Sequence, residues 1–258
     1  TILVVSVVSM GLGSQPSITI SSTGSIIYWP RVDVAINISK VTGVNNLSLG
    51  FQLDWHRWVS FIDSPVQRQL ARNANLKLIR VFDFRKNSPY GYPDLMPCTY
   101  WDESTKTGTW DWTQVDALAQ KIFEIGAEPL FCLGWARDYI RRYIPRGMTV
   151  NPNTGLPYPE SYTAYAKEWV KHFKIKGWPI RYYEIMNEPH FYFGWNPSDT
   201  TKLGYYVQLW NTAARAMRAE NPNIILSQDT ITMRRVLDYW LTHGDDVDSL
   251  NFHKYDAE

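Results

Sequence analysis

From residue 46 to residue 253, short apolar runs alternate with amphipathic helical stretches, and this rhythm constrains the fold more than any other feature. Apolar runs at Leu47–Leu53, Leu76–Phe82, Ala127–Leu133, Ile180–Asn187, Asn223–Ser227 and Ser249–His253 have the length and β-forming composition of buried strands. Between them lie helical signals. Ser64-Pro65 offers a capping serine and a first-turn proline, and Asp111 or Thr113 caps a stretch with Val115, Leu118, Ala119, Ile122 and Phe123 on one face, closed at Gly126. Tyr162, Tyr165, Ala166, Trp169 and Phe173 line a third helix, Thr200–Glu220 forms a fourth that stops at Asn221-Pro222, and Ile231–His243 forms a fifth.

Strands alternating with helices predict a parallel sheet with crossover connections. The segments after the second and third strands are long, one running through Tyr90, Tyr92, Pro93 and Trp101, while the returns from helix to strand are short. That asymmetry predicts a (β/α)8 TIM barrel with its site at the C-terminal ends of the strands, of which this chain supplies about the first six βα units. A doubly wound open sheet is the alternative, but its glycine-rich first turn is missing.

Three segments are expected. Residues 1–15 contain the apolar run Ile2–Leu12, too short to span a bilayer; it is read as the remnant of a secretion signal, with a buried first strand as the alternative. That reading makes the protein secreted. Residues 16–45 alternate around Thr23-Gly24 and predict a β-hairpin. Residues 46–258 form the catalytic barrel domain, truncated after strand six.

The formal charge of +1 gives no electrostatic reason to expect a nucleic acid or membrane partner. Aromatic residues make up 15%, with 12 Trp and 16 Tyr, and so many amphipathic rings suit a cleft that stacks on sugar faces. Cys98 and Cys132 are too few for a disulfide framework and read as independent thiols, one bridge being the alternative. The sequence carries no His-Glu-x-x-His, no zinc-spaced Cys/His cluster and no glycine-rich phosphate loop, so neither metal nor cofactor is expected.

The segment Arg181-Tyr-Tyr-Glu-Ile-Met-Asn-Glu-Pro189 carries the chemistry. It begins as a strand and ends where Pro189 stops ladder pairing, which leaves a carboxylate at the strand tip. A carboxyl group among apolar walls holds its proton toward neutrality, as the general acid of glycoside hydrolysis must. A helix-capping glutamate is the plainer alternative.

Tyr183-Glu-Ile-Met-Asn-Glu-Pro189 resembles the Phe-Glu-Val-Trp-Asn-Glu-Pro of the retaining clan A glycoside hydrolases, family 39 in particular. Trp112–Pro129 is similar to that family's second helix and third strand, and Tyr205–Ser227 to its fourth helix and fifth strand. The chain is similar also to family 5 cellulase-like enzymes. The resemblance implies a retaining hydrolase of β-glycosidic bonds in polysaccharides or oligosaccharides, cellulase- or xylosidase-like. A non-catalytic carbohydrate-binding barrel is the alternative.

By the same resemblance Glu188 is the acid/base and Asn187 hydrogen-bonds the 2-hydroxyl of the reacting sugar. Arg80, at the end of the second strand, keeps a nucleophilic carboxylate ionised, the alternative being an ion pair with Glu184 or Asp83. His253 and Tyr255 match cleft-facing positions of the sixth strand. Glu184, four residues before Glu188, shares its strand face one layer deeper, where a buried structural role is expected. Trp55, Trp135 and Trp195, with His56, Trp58, His190 and Phe191, follow strand ends, as sugar platforms or as packed loop anchors. A retaining mechanism needs a second carboxylate about 5–5.5 Å from the first. The clan supplies it from strand seven, so the nucleophile is expected beyond Glu258, and the 258-residue chain alone is expected to be inactive and poorly soluble.

Overall fold

The computed structural model describes residues 50–53, 61, 63–82, 96–134, 144–188, 200–229, 234–245 and 247–251. All lie in one of the chain's two compact units, Ser48–Glu258. The expectations for residues 1–15 and 16–45 fall outside them.

In chain order the elements are β1 (Gly50–Leu53), α1 (Pro65–Asn73), β2 (Leu78–Val81), β3 (Cys98–Asp102), β4 (Thr107–Trp110), α2 (Thr113–Glu124) and β5 (Glu128–Cys132). They continue with α3 (Pro159–Ile175), β6 (Tyr182–Glu184), α4 (Thr200–Glu220), β7 (Ile225–Asp229), α5 (Arg234–His243) and β8 (Ser249–Asn251). Six strands form one sheet in the order β1-β2-β5-β6-β7-β8. Every neighbouring pair is parallel. This is the sequential parallel order that the βα rhythm requires.

The start of α1 follows the sequence signal. Ser64 Oγ accepts the Gln67 N–H at 3.3 Å, with Pro65 opening α1. Helix α2 starts at Thr113 and departs from the expected cap. Trp112, not Asp111 or Thr113, stands at its N-cap with no side-chain cap hydrogen bond, while Asp111 Oδ1 accepts the Thr113 N–H at 3.0 Å. The chain turns away through Gly126 at φ 81°. The core lies between the sheet and its helices. Ile79, Val81, Phe131, Tyr183 and Leu226 leave the sheet on the helix side and are fully buried, against Leu118 and Ile122 of α2 and Trp169 and Phe173 of α3. Phe131 stacks on Phe173, their centroids 5.3 Å apart. Burying a side chain of this size contributes roughly 1.5–3 kcal/mol.

The structure corrects the reading of the segment after β2 as plain loop. Cys98–Asp102 and Thr107–Trp110 pair as an antiparallel hairpin. Its turn is held by Glu103, whose carboxylate pairs with Lys106 and accepts the Ser161 hydroxyl at 2.5 Å and the Thr149 N–H at 3.2 Å. Trp101 of β3 is fully buried, and its backbone N–H donates to Arg146 O at 2.7 Å. The following Gly147, at φ 93°, leaves no room for a side chain, since a Cβ there would stand 2.3 Å from Trp101 O. Cys98 and Cys132 are both free, buried thiols. Burial pushes the Cys98 thiol up to about 12.

One packing contact gives a pH-dependent stability. The His172 ring of α3 lies flat on Trp112 with centroids 4.0 Å apart, and its Nε2 is 2.8 Å from Asp116 Oδ1. Lys176 Nζ shares that carboxylate at 2.7 Å. Desolvation pulls the His172 pKa below its ordinary value of 6.5 and outweighs the pull of Asp116 in the other direction. A folded-state value below the unfolded one means that acidification protonates the unfolded chain first. Stability is therefore complete above pH 6.5 and declines as pH falls from there to the lower folded value. Urea unfolding at pH 7 and pH 5.5 is expected to show this decline. His172→Phe, which keeps the stack, is expected to remove His172's part of it; an unchanged pH profile would show the imidazole to be uninvolved.

Candidate active site

The sheet register sets Cys132, Glu184, Ser227 and Ser249 side by side, on the face opposite the helix-packed Phe131, Tyr183 and Leu226. Ser249 Oγ donates to Ser227 Oγ at 2.9 Å. A barrel interior that served packing alone would carry branched aliphatic residues in such a row. Here the row is polar, with a fully buried carboxylate in it.

Glu184 is held by Arg80. The guanidinium donates from Nε to Glu184 Oε2 at 3.0 Å and from Nη2 to Oε1 at 2.5 Å, the two-pronged geometry natural to arginine and carboxylate. The Glu184 side chain has no exposure and that of Arg80 is 12% exposed. Arg80 Nη2 also donates to Asn187 Oδ1 at 2.6 Å, so one guanidinium ties the buried carboxylate to the carboxamide at the strand tip. The Cys132 thiol sits 3.3 Å from Glu184 Oε1 as a donor. Burial, and then the Glu184 charge, push its pKa well above the ordinary value, so it stays a thiol and is no nucleophile.

Beyond Glu184 the backbone is fixed from several sides. The Leu133 N–H donates to Glu184 O and the Asn187 N–H to Gly134 O, both at 2.8 Å. The Tyr162 hydroxyl of α3 donates to Ile185 O at 2.5 Å. Gly134 makes room for it, because a Cβ there would stand 2.9 Å from the Tyr162 oxygen. Asn187 and Glu188 end this segment almost fully buried, at 1% and 5% exposure. Glu188 has φ 48°, in the left-handed region, although it is not glycine and precedes a proline. Such a backbone costs of order 1–3 kcal/mol, and residues held in it cluster where a side chain must be aimed.

The structure thus brings together Arg80, Glu184, Asn187 and Glu188 at the C-terminal ends of β2 and β6. Glu184 is fully buried and is the ion-pair partner offered as the alternative for Arg80. Strand β6 ends at Glu184, so the strand spacing that set it one layer below Glu188 is not continued to Glu188. Trp55, Trp135, Trp195, His253 and Tyr255 lie outside the described residues, as do Asp83, His56, Trp58, His190 and Phe191. Cys132, a buried strand residue in the sequence reading, is set beside Glu184 by the sheet register. Among the described residues no three His, Cys, Asp or Glu side chains converge as metal ligands, and no helix is long and apolar enough to cross a membrane. A buried carboxyl group at a strand tip, beside a carboxamide fixed by a cation, is equipped for proton transfer to a substrate oxygen.

No family model and no curated protein matches the sequence. Solved structures do match. A monomeric β-xylosidase from Caulobacter crescentus CB15 superposes with a TM-score of 0.54 at 18% identity, over 81% of this chain and 42% of its own. A family 39 glycoside hydrolase from Xanthomonas axonopodis pv. citri gives 0.55 at 18% identity, over 80% and 40%. The family 53 catalytic domain of Ignisphaera aggregans gives 0.54 at 15%, over 83% and 61%. The chain spans less than two thirds of the length of each of these. What it shares with them is the fold, and its six parallel strands with their crossover helices are part of a (β/α)8 barrel of the kind found in these glycoside hydrolases.

Proposed function

We propose that this chain carries the acid/base half of a retaining glycoside hydrolase that acts on β-linked polysaccharides or their oligomers. The observation that carries the reading is Asn187-Glu188 in the segment that follows β6, with Glu188 buried in a left-handed backbone and Asn187 bound by Arg80. In this reading Glu188 protonates the leaving oxygen as the glycosidic bond breaks, then takes a proton from the water that releases the sugar. Asn187 meets the 2-hydroxyl of the reacting sugar. A second carboxylate, on a further strand of the barrel, is proposed as the nucleophile. The tryptophans Trp55, Trp135 and Trp195 are proposed as stacking platforms, and His253 and Tyr255 as further cleft contacts. Secretion belongs to the same proposal, since polymeric glycans are met outside the cell.

The test is hydrolysis of aryl β-xylosides and β-glucosides by the full-length protein, with product anomers followed by proton NMR. The expected result is turnover with retention of configuration. Binding of xylan or glucan oligomers without turnover would support the non-catalytic barrel instead, and inverted products would remove the double-displacement mechanism.

A further inference from the structure

We propose that Glu184 is a positioning residue that fixes which end of the Asn187 carboxamide faces a substrate; this rests on the glycosidase reading above. The argument starts from donor counting. A guanidinium has only N–H donors, so the Asn187 atom 2.6 Å from Arg80 Nη2 must be the carbonyl oxygen. The NH2 end, with its two donors, is then the end left for a sugar hydroxyl. Arg80 dictates this only while its own rotamer is fixed, and Glu184 fixes it by taking both Nε and Nη2. Glu184 is itself anchored, since its backbone carbonyl accepts the Leu133 N–H and its Oε1 lies beside the Cys132 thiol. The chain of control runs from the β5–β6 ladder through Glu184 and Arg80 to Asn187, whose backbone is separately tied to Gly134. The amide therefore acts as a hydrogen-bond donor toward the substrate, and its specificity is for a hydroxyl that can accept.

Glu184→Gln keeps the shape and one acceptor but can no longer take both guanidinium prongs on charged oxygens. It is expected to lower kcat/KM about 10- to 100-fold on an aryl β-glucoside, mostly in kcat, because the 2-hydroxyl contact strengthens in the transition state. On the 2-deoxy analogue the loss is expected to be under about threefold, as that contact is absent. Arg80→Lys, which retains the charge and loses the fork, is expected to follow the same pattern. Equal losses on both substrates would overturn the proposal by showing a general structural defect. A neutron crystal structure of the Glu184→Gln protein, which tells amide nitrogen from oxygen, gives a readout independent of turnover. A rotated or doubled Asn187 amide supports the positioning role, and an amide unchanged in orientation defeats it, even if the wild type proves to hydrolyse no glycoside.

Discussion

Replacing Arg80 with methionine is expected to destabilise the folded chain by about 3–5 kcal/mol, the usual cost of leaving one partner of a buried ion pair uncompensated. The Glu184 side chain has no solvent exposure, and Arg80 supplies hydrogen bonds to both of its oxygens. Methionine fills much of the aliphatic volume but offers no donor, which isolates the deletion of charge from the deletion of packing. Pairing Arg80→Met with Glu184→Leu is expected to recover most of the loss, because a buried ion pair and a hydrophobic replacement of similar volume are close in free energy. Denaturant unfolding of the two single variants and the double variant completes the cycle. A single Arg80→Met within 1 kcal/mol of wild type, a bound set by ordinary surface-pair energies, would show that the site tolerates the unpaired carboxylate and that the pair is not under strong mutual dependence.

The same pair shows what the sequence makes legible and what it hides. The six parallel strands and their order follow from local signals: apolar runs of strand length, the capping residue Ser64, and the stop at Asn221-Pro222. The Asn187-Glu188-Pro189 motif stood out in the sequence, but the strand itself stops earlier than the proline suggested, at Glu184. The link from Arg80 to Glu184 and Asn187 spans 104 and 107 residues of sequence and is set by sheet register, which no local pattern reports. Glu184 and Asp83 were therefore both open as partners for Arg80. The β3–β4 hairpin was missed for another reason. Its turn runs through Glu103-Ser-Thr-Lys106 with Lys106 at φ 57°, where a glycine or asparagine would have announced it. Tyr100-Trp101 and Thr109-Trp110 on either side were the available β signal. The backbone of Glu188 was unreadable in principle, because a residue before proline is biased toward extended conformations. Among the described residues, the ties from Tyr162 to Ile185 and from Asn187 to Gly134 fix the segment that leads into it.

The proposed chemistry makes its sharpest demand on Glu188. Glu188→Gln keeps the size and hydrogen-bonding reach of the side chain but cannot deliver a proton. On substrates with poor leaving groups, such as unsubstituted xylo- or gluco-oligomers, kcat/KM is expected to fall about 10²- to 10⁴-fold, the span of general acid catalysis. An aryl glycoside whose phenolate leaves without protonation is expected to lose less than about tenfold in kcat/KM, which reports the bond-breaking step. Its kcat should still fall steeply, because the second half of the reaction needs Glu188 as the base that activates water. Glu188→Ala separates these steps further. A small anion such as azide needs no base and fits the space the side chain vacates, so it is expected to restore kcat on the activated substrate and to yield a β-glycosyl azide. Substrate binding is expected to survive in both variants, since the contacts assigned to Asn187 remain. A loss of equal size on activated and unactivated substrates, with no azide product, would mean that Glu188 shapes the strand tip and does not move the proton.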